Sequence, residues 1–257
     1  MSVSALVVTY HTGEVLWACL DAVLAQVDEV VVVDNGNPPE TRERLKNDAR
    51  IRYIEAPGNV GFGWAHHLAA EVAKGQRLLV LNPDAILKPA CVANLEASLD
   101  AGATVAGARL VDGQGRELRG SRRRELTPFN LLRGLNLHRQ PLPGAPIEVG
   151  AVSGACFLIG ANDWKRLGGF DPAYFLHVED LDLCRRVRDA GGSVVFVPDA
   201  EVLHEGATSD APNWAVETHK LMGFRTYLIR YYPFVGRLLW PAMRLARRRR
   251  TRRSGAV

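Results

Sequence analysis

The sequence predicts an α/β fold, with a mostly parallel central sheet and flanking helices. Runs of β-branched residues alternate with segments of helical periodicity, the pattern of successive βαβ units. Polar residues also gather where those runs end, which is where open parallel sheets bind their ligands. The composition fits a packed domain. Of 257 residues, 47% are hydrophobic and 23% charged, which excludes a disordered or collagen-like chain.

The first half reads in order. Val3 to Thr9 is an apolar strand, and Glu14 to Gln26 is a helix with its face on Leu16, Leu20, Val23 and Leu24. Val30 to Asp34 is a second strand, ending in the turn signal Asp34-Asn35-Gly36. Pro38-Pro39 opens a polar helix reaching about Asp48, since proline suits the first helical turn. Ile51 to Glu55 is a third strand. Phe62 to Lys74 is a helix stopped at Gly75, Leu78 to Leu81 a fourth strand, and Pro89 to Asp100 a helix stopped near Gly102. Residues 105–147 look less regular, a basic, loop-rich excursion over the sheet. Eight arginines there face Asp112, Glu117 and Glu125, and they suit either a solvated face or contact with an anion or acceptor. Beyond it, 149–159 reads as one strand, Glu179 to Ala190 as a helix ended by Gly191-Gly192, and Val194 to Val197 as a strand. Val202-Leu203-His204 runs into a polar loop.

Several residue groups carry chemistry. Glu179, Asp180 and Asp182 place three carboxylates in four residues. They complement the dipole of a helix start, with Arg185 and Arg186 one turn on; alternatively, like charge and partial burial raise one carboxyl pKa for general-base work. Asn82-Pro83-Asp84, after a buried strand, is a turn or a set of hard oxygens for a divalent cation carrying a diphosphate. His204 also follows a strand. Neither G-x-G-x-x-G after the first strand nor a P-loop is present, which argues against a dinucleotide or NTPase site.

Together these segments resemble glycosyltransferase family 2, the inverting enzymes of GT-A fold, and within it the bacterial rhamnosyltransferase-type members. The resembling segments are 7–10, 31–35, 59–63, 81–84, 154–156, 168–171, 179–186 and 197–199 with His204, all in family order. The resemblance implies a glycosyltransferase domain over 1–215. It implies that Thr9, Tyr10, Asp34, Asn59 and Gly61 hold the nucleotide of a nucleoside-diphosphate sugar. Asp84 and His204 are then ligands of a divalent metal, Mg or Mn, and Asp180 is the catalytic base. Asn82, Glu179 and His67 fall in the donor or acceptor region. Trp64, His66 and His67 depart from the small residues and Asn usual after Gly61-Phe62. The implied reaction moves a sugar, rhamnose by subgroup, to a hydroxyl of a glycan or lipid-linked acceptor in cell-surface polysaccharide synthesis. The alternatives are a non-catalytic membrane-associated scaffold and a sugar nucleotidyltransferase.

Charge is unevenly distributed. Eleven basic residues follow the last acid, Glu217; removing them from the net +4 leaves −7 for residues 1–217. An acidic body argues against nucleic acid as a partner. Residues 216–257 are expected to form a basic helical extension. Leu221, Phe224, Leu228, Tyr231 and Tyr232 lie among Arg225 and Arg230, ahead of an Arg run at 247–253. This reads as an interfacial helix on an anionic membrane, or as a helix packed on the domain with a disordered Arg tail. No secretory leader or stretch of ~18 apolar residues occurs, and the four cysteines form no CxxC. The expected location is cytoplasmic, on the inner face of the cell membrane.

Overall fold

The computed structural model describes residues 1–204 and 213–238. Its sheet is built from β1 (Val3–Thr9), β2 (Glu29–Asp34), β3 (Arg52–Glu55), β4 (Arg77–Leu81), β5 (Ala85–Leu87), β6 (Val105–Val111), β10 (Cys156–Gly160) and β11 (Val194–His204). β8 (Ile147–Glu148) joins on β11, and β7 (Arg122–Arg123) pairs with β9 (Ala151–Val152) as a separate ribbon. The order is β3-β2-β1-β4-β10-β6-β11-β5. Pairing is parallel from β3 to β4 and again between β6 and β11, whereas β10 and β5 run antiparallel to their neighbours.

The helices are α1 (Val15–Leu24), α2 (Pro39–Lys46), α3 (Phe62–Val72), α4 (Cys91–Asp100), α5 (Pro128–Arg133), α6 (Ala161–Leu167), α7 (Glu179–Asp189) and α8 (Asn213–Tyr231). Successive side chains of a strand point to opposite faces. Val3, Ala5 and Val7 of β1 therefore pack with α1, α2 and α4 through Leu16, Leu20, Leu45 and Leu95. Leu6 and Val8 pack on the other side with Ala65, Trp164, Leu181 and Tyr227 of α3, α6, α7 and α8. The result is a three-layer sandwich. β2 and β4 flank β1, so the chain changes direction beside β1, and the crevice above that point is the natural ligand site of such a sheet.

The elements expected in the first hundred residues are all present within a few residues of their expected ends. Three later expectations are corrected. Residues 105–111 are not irregular; they form β6, paired with both β10 and β11. The strand was hidden by Ala106-Gly107-Ala108, which is small because Val152 packs directly over Gly107. The run 149–159 is not one strand. It breaks at Ser153–Ala155 into β9 and β10, and the break places an N–H in the crevice. Finally, β11 continues past Val197 to His204 through a register shift between Val197 and Glu201. Pro198 sits in that irregular segment, where its missing N–H interrupts no ladder bond.

α8 docks on the domain. Phe224, Tyr227, Leu228 and Tyr231 recur at helical spacing; Tyr227 and Leu228 are fully buried, and Phe224 and Tyr231 pack on the same core. The apolar stripe expected to face a membrane is thus largely covered by protein as far as Tyr231. The Arg run at 247–253 lies outside the described residues.

Candidate active site

The crevice is assembled from strand ends. The parallel register sets Thr9 beside Asp34. Asp34 closes its own turn: Oδ1 accepts from the N–H groups of Gly36 (3.0 Å) and Asn37 (2.8 Å) and from Asn37 Nδ2 (2.8 Å), and Oδ2 from Arg42 Nε (3.1 Å) and the Tyr53 hydroxyl (3.0 Å). Burial opposes ionisation of this carboxyl, but these donors outweigh it and hold it below its ordinary range. The Thr9 hydroxyl donates to Val33 O and accepts from Asn37 Nδ2 at 2.6 Å. Both expected nucleotide ligands are therefore buried and engaged in shaping the β1 and β2 loops. A nucleoside would reach Asp34 only by displacing Arg42 or Tyr53.

The next loop is locked to that turn. Asn35 Nδ2 donates to Asn59 Oδ1 (3.0 Å), and Val60 N–H donates to Asn35 Oδ1 (2.9 Å). Gly61 adopts φ +88°, and a β-carbon there would lie 2.8 Å from Phe175 O. Only glycine allows the 172–175 loop to approach so closely. Tyr10 is half-buried at the mouth, its ring within 3.3 Å of where a Gly36 side chain would begin.

The second group of residues is brought together by β5 and β11. Their antiparallel register pairs His204 with Ala85, which sets the imidazole beside Asp84. His204 Nε2 lies 3.1 Å from Asp84 Oδ1 and 3.4 Å from Asn82 Nδ2. Asn82 N–H donates to Ala155 O (2.8 Å), and the neighbouring Gly154 N–H donates to Asp180 Oδ2 (3.0 Å). These contacts therefore bring Asp84, His204, Asn82 and Asp180, which are distant in sequence, to one crevice. The buried Asn82 Oδ1 has no hydrogen-bond partner among the described residues. An oxygen left orphaned beside a carboxylate and an imidazole fits a cation. No group of three His, Cys, Asp or Glu side chains able to hold a metal occurs among the described residues, so Asn82 would supply a neutral donor.

Asp180 opens α7. Its Oδ2 takes Arg123 Nη2 at 2.6 Å as well as Gly154 N–H, and Oδ1 takes Leu181 N–H at 2.7 Å. Burial pushes its pKa up, but the Arg123 charge and these donors bring it below the usual carboxylate value. The raised carboxyl anticipated in this triplet is Glu179 instead: burial first, then the Asp180 charge, push it to about 8. Asp182 is fully buried and structural. It accepts from Arg186, Arg230, Tyr174 and Tyr231. His177 (φ 68°) and Val178 (φ 77°) precede α7 in left-handed conformations that disfavour side chains, Val178 most of all.

His67 is not brought to this group. Its Nε2 lies 2.6 Å from Phe170 O, between Trp64 and Trp164. His66 is buried against Phe62 and Phe170, and burial lowers its pKa to about 4. Both histidines belong to the packing of α3. Arg123 is the site residue that sequence reasoning missed.

A family model described as "Glycosyl transferase family 2" matches residues 4–158. That span covers more than half of the chain. The chain belongs to glycosyltransferase family 2. Relatives of this family 2 enzyme include an N-acetylglucosaminyl-diphospho-decaprenol L-rhamnosyltransferase of Mycobacterium tuberculosis, 30% identical over 79% of this chain and 75% of that protein. The rhamnosyltransferase WbbL of Escherichia coli is 26% identical over 68% of this chain and 72% of its own. Among solved structures, GalNAc-T7 with UDP, GalNAc and Mn2+ superposes at TM-score 0.66 and 17% identity. The mannosyltransferase PcManGT of Pyrobaculum calidifontis with GDP-Man and Mn2+ does so at 0.63 and 18%. Each match covers 89% of this chain, which spans 48% and 63% of those two proteins. At such identity the likeness speaks for the GT-A fold. A sugar-transferring enzyme of glycan synthesis follows from the family, and neither the scaffold nor the nucleotidyltransferase alternative gains support. Among the described residues, no helix is long and apolar enough to cross a membrane.

Proposed function

We propose that this protein is an inverting, metal-dependent glycosyltransferase that moves rhamnose from a nucleoside-diphosphate donor to a hydroxyl of a lipid-linked glycan. The observation that carries the proposal is the convergence of Asp84, His204, the orphaned Asn82 oxygen and Asp180 on one crevice. The rhamnosyltransferase relatives support the sugar, and the decaprenol-linked acceptor named for one of them supports the acceptor class.

Tyr10 and the Asn35–Asn59 lock shape the nucleoside end of the crevice. Asp84, His204 and Asn82 Oδ1 would hold a divalent cation. When bound, that cation supplies Lewis-acid stabilisation of charge gathering on the leaving diphosphate. The acceptor hydroxyl is a weak nucleophile near neutral pH, so Asp180 takes its proton as the oxygen attacks, a contribution of typically ~10²–10⁴-fold. Attack from the face opposite the departing diphosphate inverts the anomeric centre.

A lipid-linked acceptor implies work at a cytoplasmic membrane surface. Exposed Phe234 and Leu238, with Arg237 between them, support contact with that surface. The deciding experiment measures binding of dTDP, UDP and GDP, with and without Mn2+ or Mg2+, to wild type and Asp84→Ala. One diphosphate binding only with metal and only when Asp84 is present is the expected result. Metal-independent binding of equal strength by both proteins would overturn it.

A further inference from the structure

The three consecutive arginines 122–124 read in sequence as one basic run, yet they do three different things. Arg122 is buried; it pairs with Glu117 (2.9 Å) and donates to Gln140 O and Pro141 O. Arg124 donates to Gly134 O just past the end of α5. Arg123 alone points into the crevice. The β7–β9 ribbon registers it opposite Ala151. Its Nη2 is anchored on Val152 O (2.5 Å) and meets Asp180 Oδ2 at 2.6 Å. Both partners of this ion pair are mostly buried, with side chains 14% and 13% exposed.

The two Asp180 oxygens are thereby made unequal. Oδ2 receives two donors, Arg123 and the Gly154 N–H, whereas Oδ1 receives the Leu181 N–H. Each carboxylate oxygen can accept about two hydrogen bonds. We infer that Arg123 is a positioning residue for the transfer reaction: by saturating Oδ2 it fixes the carboxylate so that Oδ1 is the atom that receives the acceptor's proton. This rests on the reading of Asp180 as the base. In the step, an acceptor oxygen lone pair forms the bond to the anomeric carbon. The bond from that carbon to the diphosphate oxygen breaks, its electron pair leaving on the diphosphate, and the hydroxyl proton passes to Oδ1.

The same ion pair bears on the acid side of the pH dependence. Asp180 is faced by Arg123 from β7, by Glu179 and Cys184 from α7, and by His177 from the loop before it. Arg123 is the cation bonded to it, and with the Gly154 and Leu181 N–H groups it outweighs burial and holds the carboxyl below its ordinary pKa. Neutralising residue 123 therefore raises the acidity limit of the reaction toward neutral pH.

The test is the pH profile of kcat/KM and the split between kcat and donor KM for wild type, Arg123→Gln, Arg123→Lys and Asp180→Asn, each checked for folding by circular dichroism. Arg123→Gln should lower kcat about 10–100-fold, the scale of a small misplacement of a reacting group, with donor KM little changed. Its acid limb should move to higher pH. Arg123→Lys, which keeps the charge but cannot serve both partners in the same geometry, should keep the wild-type acid limb with a reduced kcat. A wild-type acid limb and kcat in Arg123→Gln would overturn the inference. Should that variant not fold, a wild-type kcat in Arg123→Lys would overturn it as well. Full turnover by Asp180→Asn is a separate failure, that of the base assignment itself.

Discussion

At the scale of single residues, the proposed roles of Asp180, Glu179 and Gly61 can each be read by one substitution. If Asp180 is the base, as proposed, Asp180→Asn removes the proton acceptor while keeping shape, so transfer should fall by roughly 10²–10⁴-fold with nucleotide diphosphate binding retained. Steady-state kinetics beside calorimetric titration checks it. Glu179 gives a stability signature. Its folded pKa, about 8, lies above the ordinary 4.5, so ionisation is opposed in the folded chain. Stability is therefore unaffected below about pH 4.5 and is lost as pH rises toward about 8. Glu179→Gln mimics the protonated form and should raise the unfolding temperature near pH 8, with the gain vanishing below about pH 4.5. Gly61→Ala would place a methyl group against Phe175 O at positive φ. A cost of about 1–3 kcal/mol in urea unfolding is expected, with weaker nucleotide binding. Asp84, His204 and Asp180 came forward as candidates through the resemblance to family motifs, and the structure sets His204 beside Asp84 and Asp180 at the start of α7. Arg123 did not come forward, because a triplet of arginines gives no sign of which member turns inward.

At the scale of elements, the hydrophobic pattern located β1 to β4, α1 to α4, α7 and the start of β11, but not the short β5 and α6. It failed at β6, where the middle of the strand is small because Val152 occupies the space above Gly107. Such a gap is set by a partner about forty-five residues away, and no local periodicity records it. It failed at 149–159 for the opposite reason: a run apolar enough for one strand is interrupted at Gly154, whose backbone N–H serves Asp180. α8 is the element whose role shifted most. The same stripe that suits an amphipathic surface helix is the stripe that fills the core. Tyr227→Ala should cost about 3–5 kcal/mol, like other truncations of large buried aromatics, as measured by chemical denaturation. A surface helix lying free of the domain would show almost no change.

At the scale of the whole molecule, charge separates the body from the segment after Glu217. An acidic body is repelled by an anionic bilayer, so any attachment must come through the basic end. Vesicles containing phosphatidylserine should bind the protein in a salt-sensitive manner. Replacing the six arginines at 247–250, 252 and 253 by glutamine should abolish that binding, at about 1 kcal/mol per removed charge near the surface. Sedimentation with vesicles at low and high salt reads the effect.

The burial of Asp182 also has a consequence in time. Two of its partners, Arg230 and Tyr231, lie 48 and 49 residues later in the chain. During synthesis, at 5–20 residues per second, about 2–10 s separate the appearance of this carboxylate from that of the groups that complete its shell. In that interval the Asp182 side chain lacks two of the donors that it has in the folded chain. The packing around α7 is therefore completed only once the segment carrying Arg230 and Tyr231 has been made.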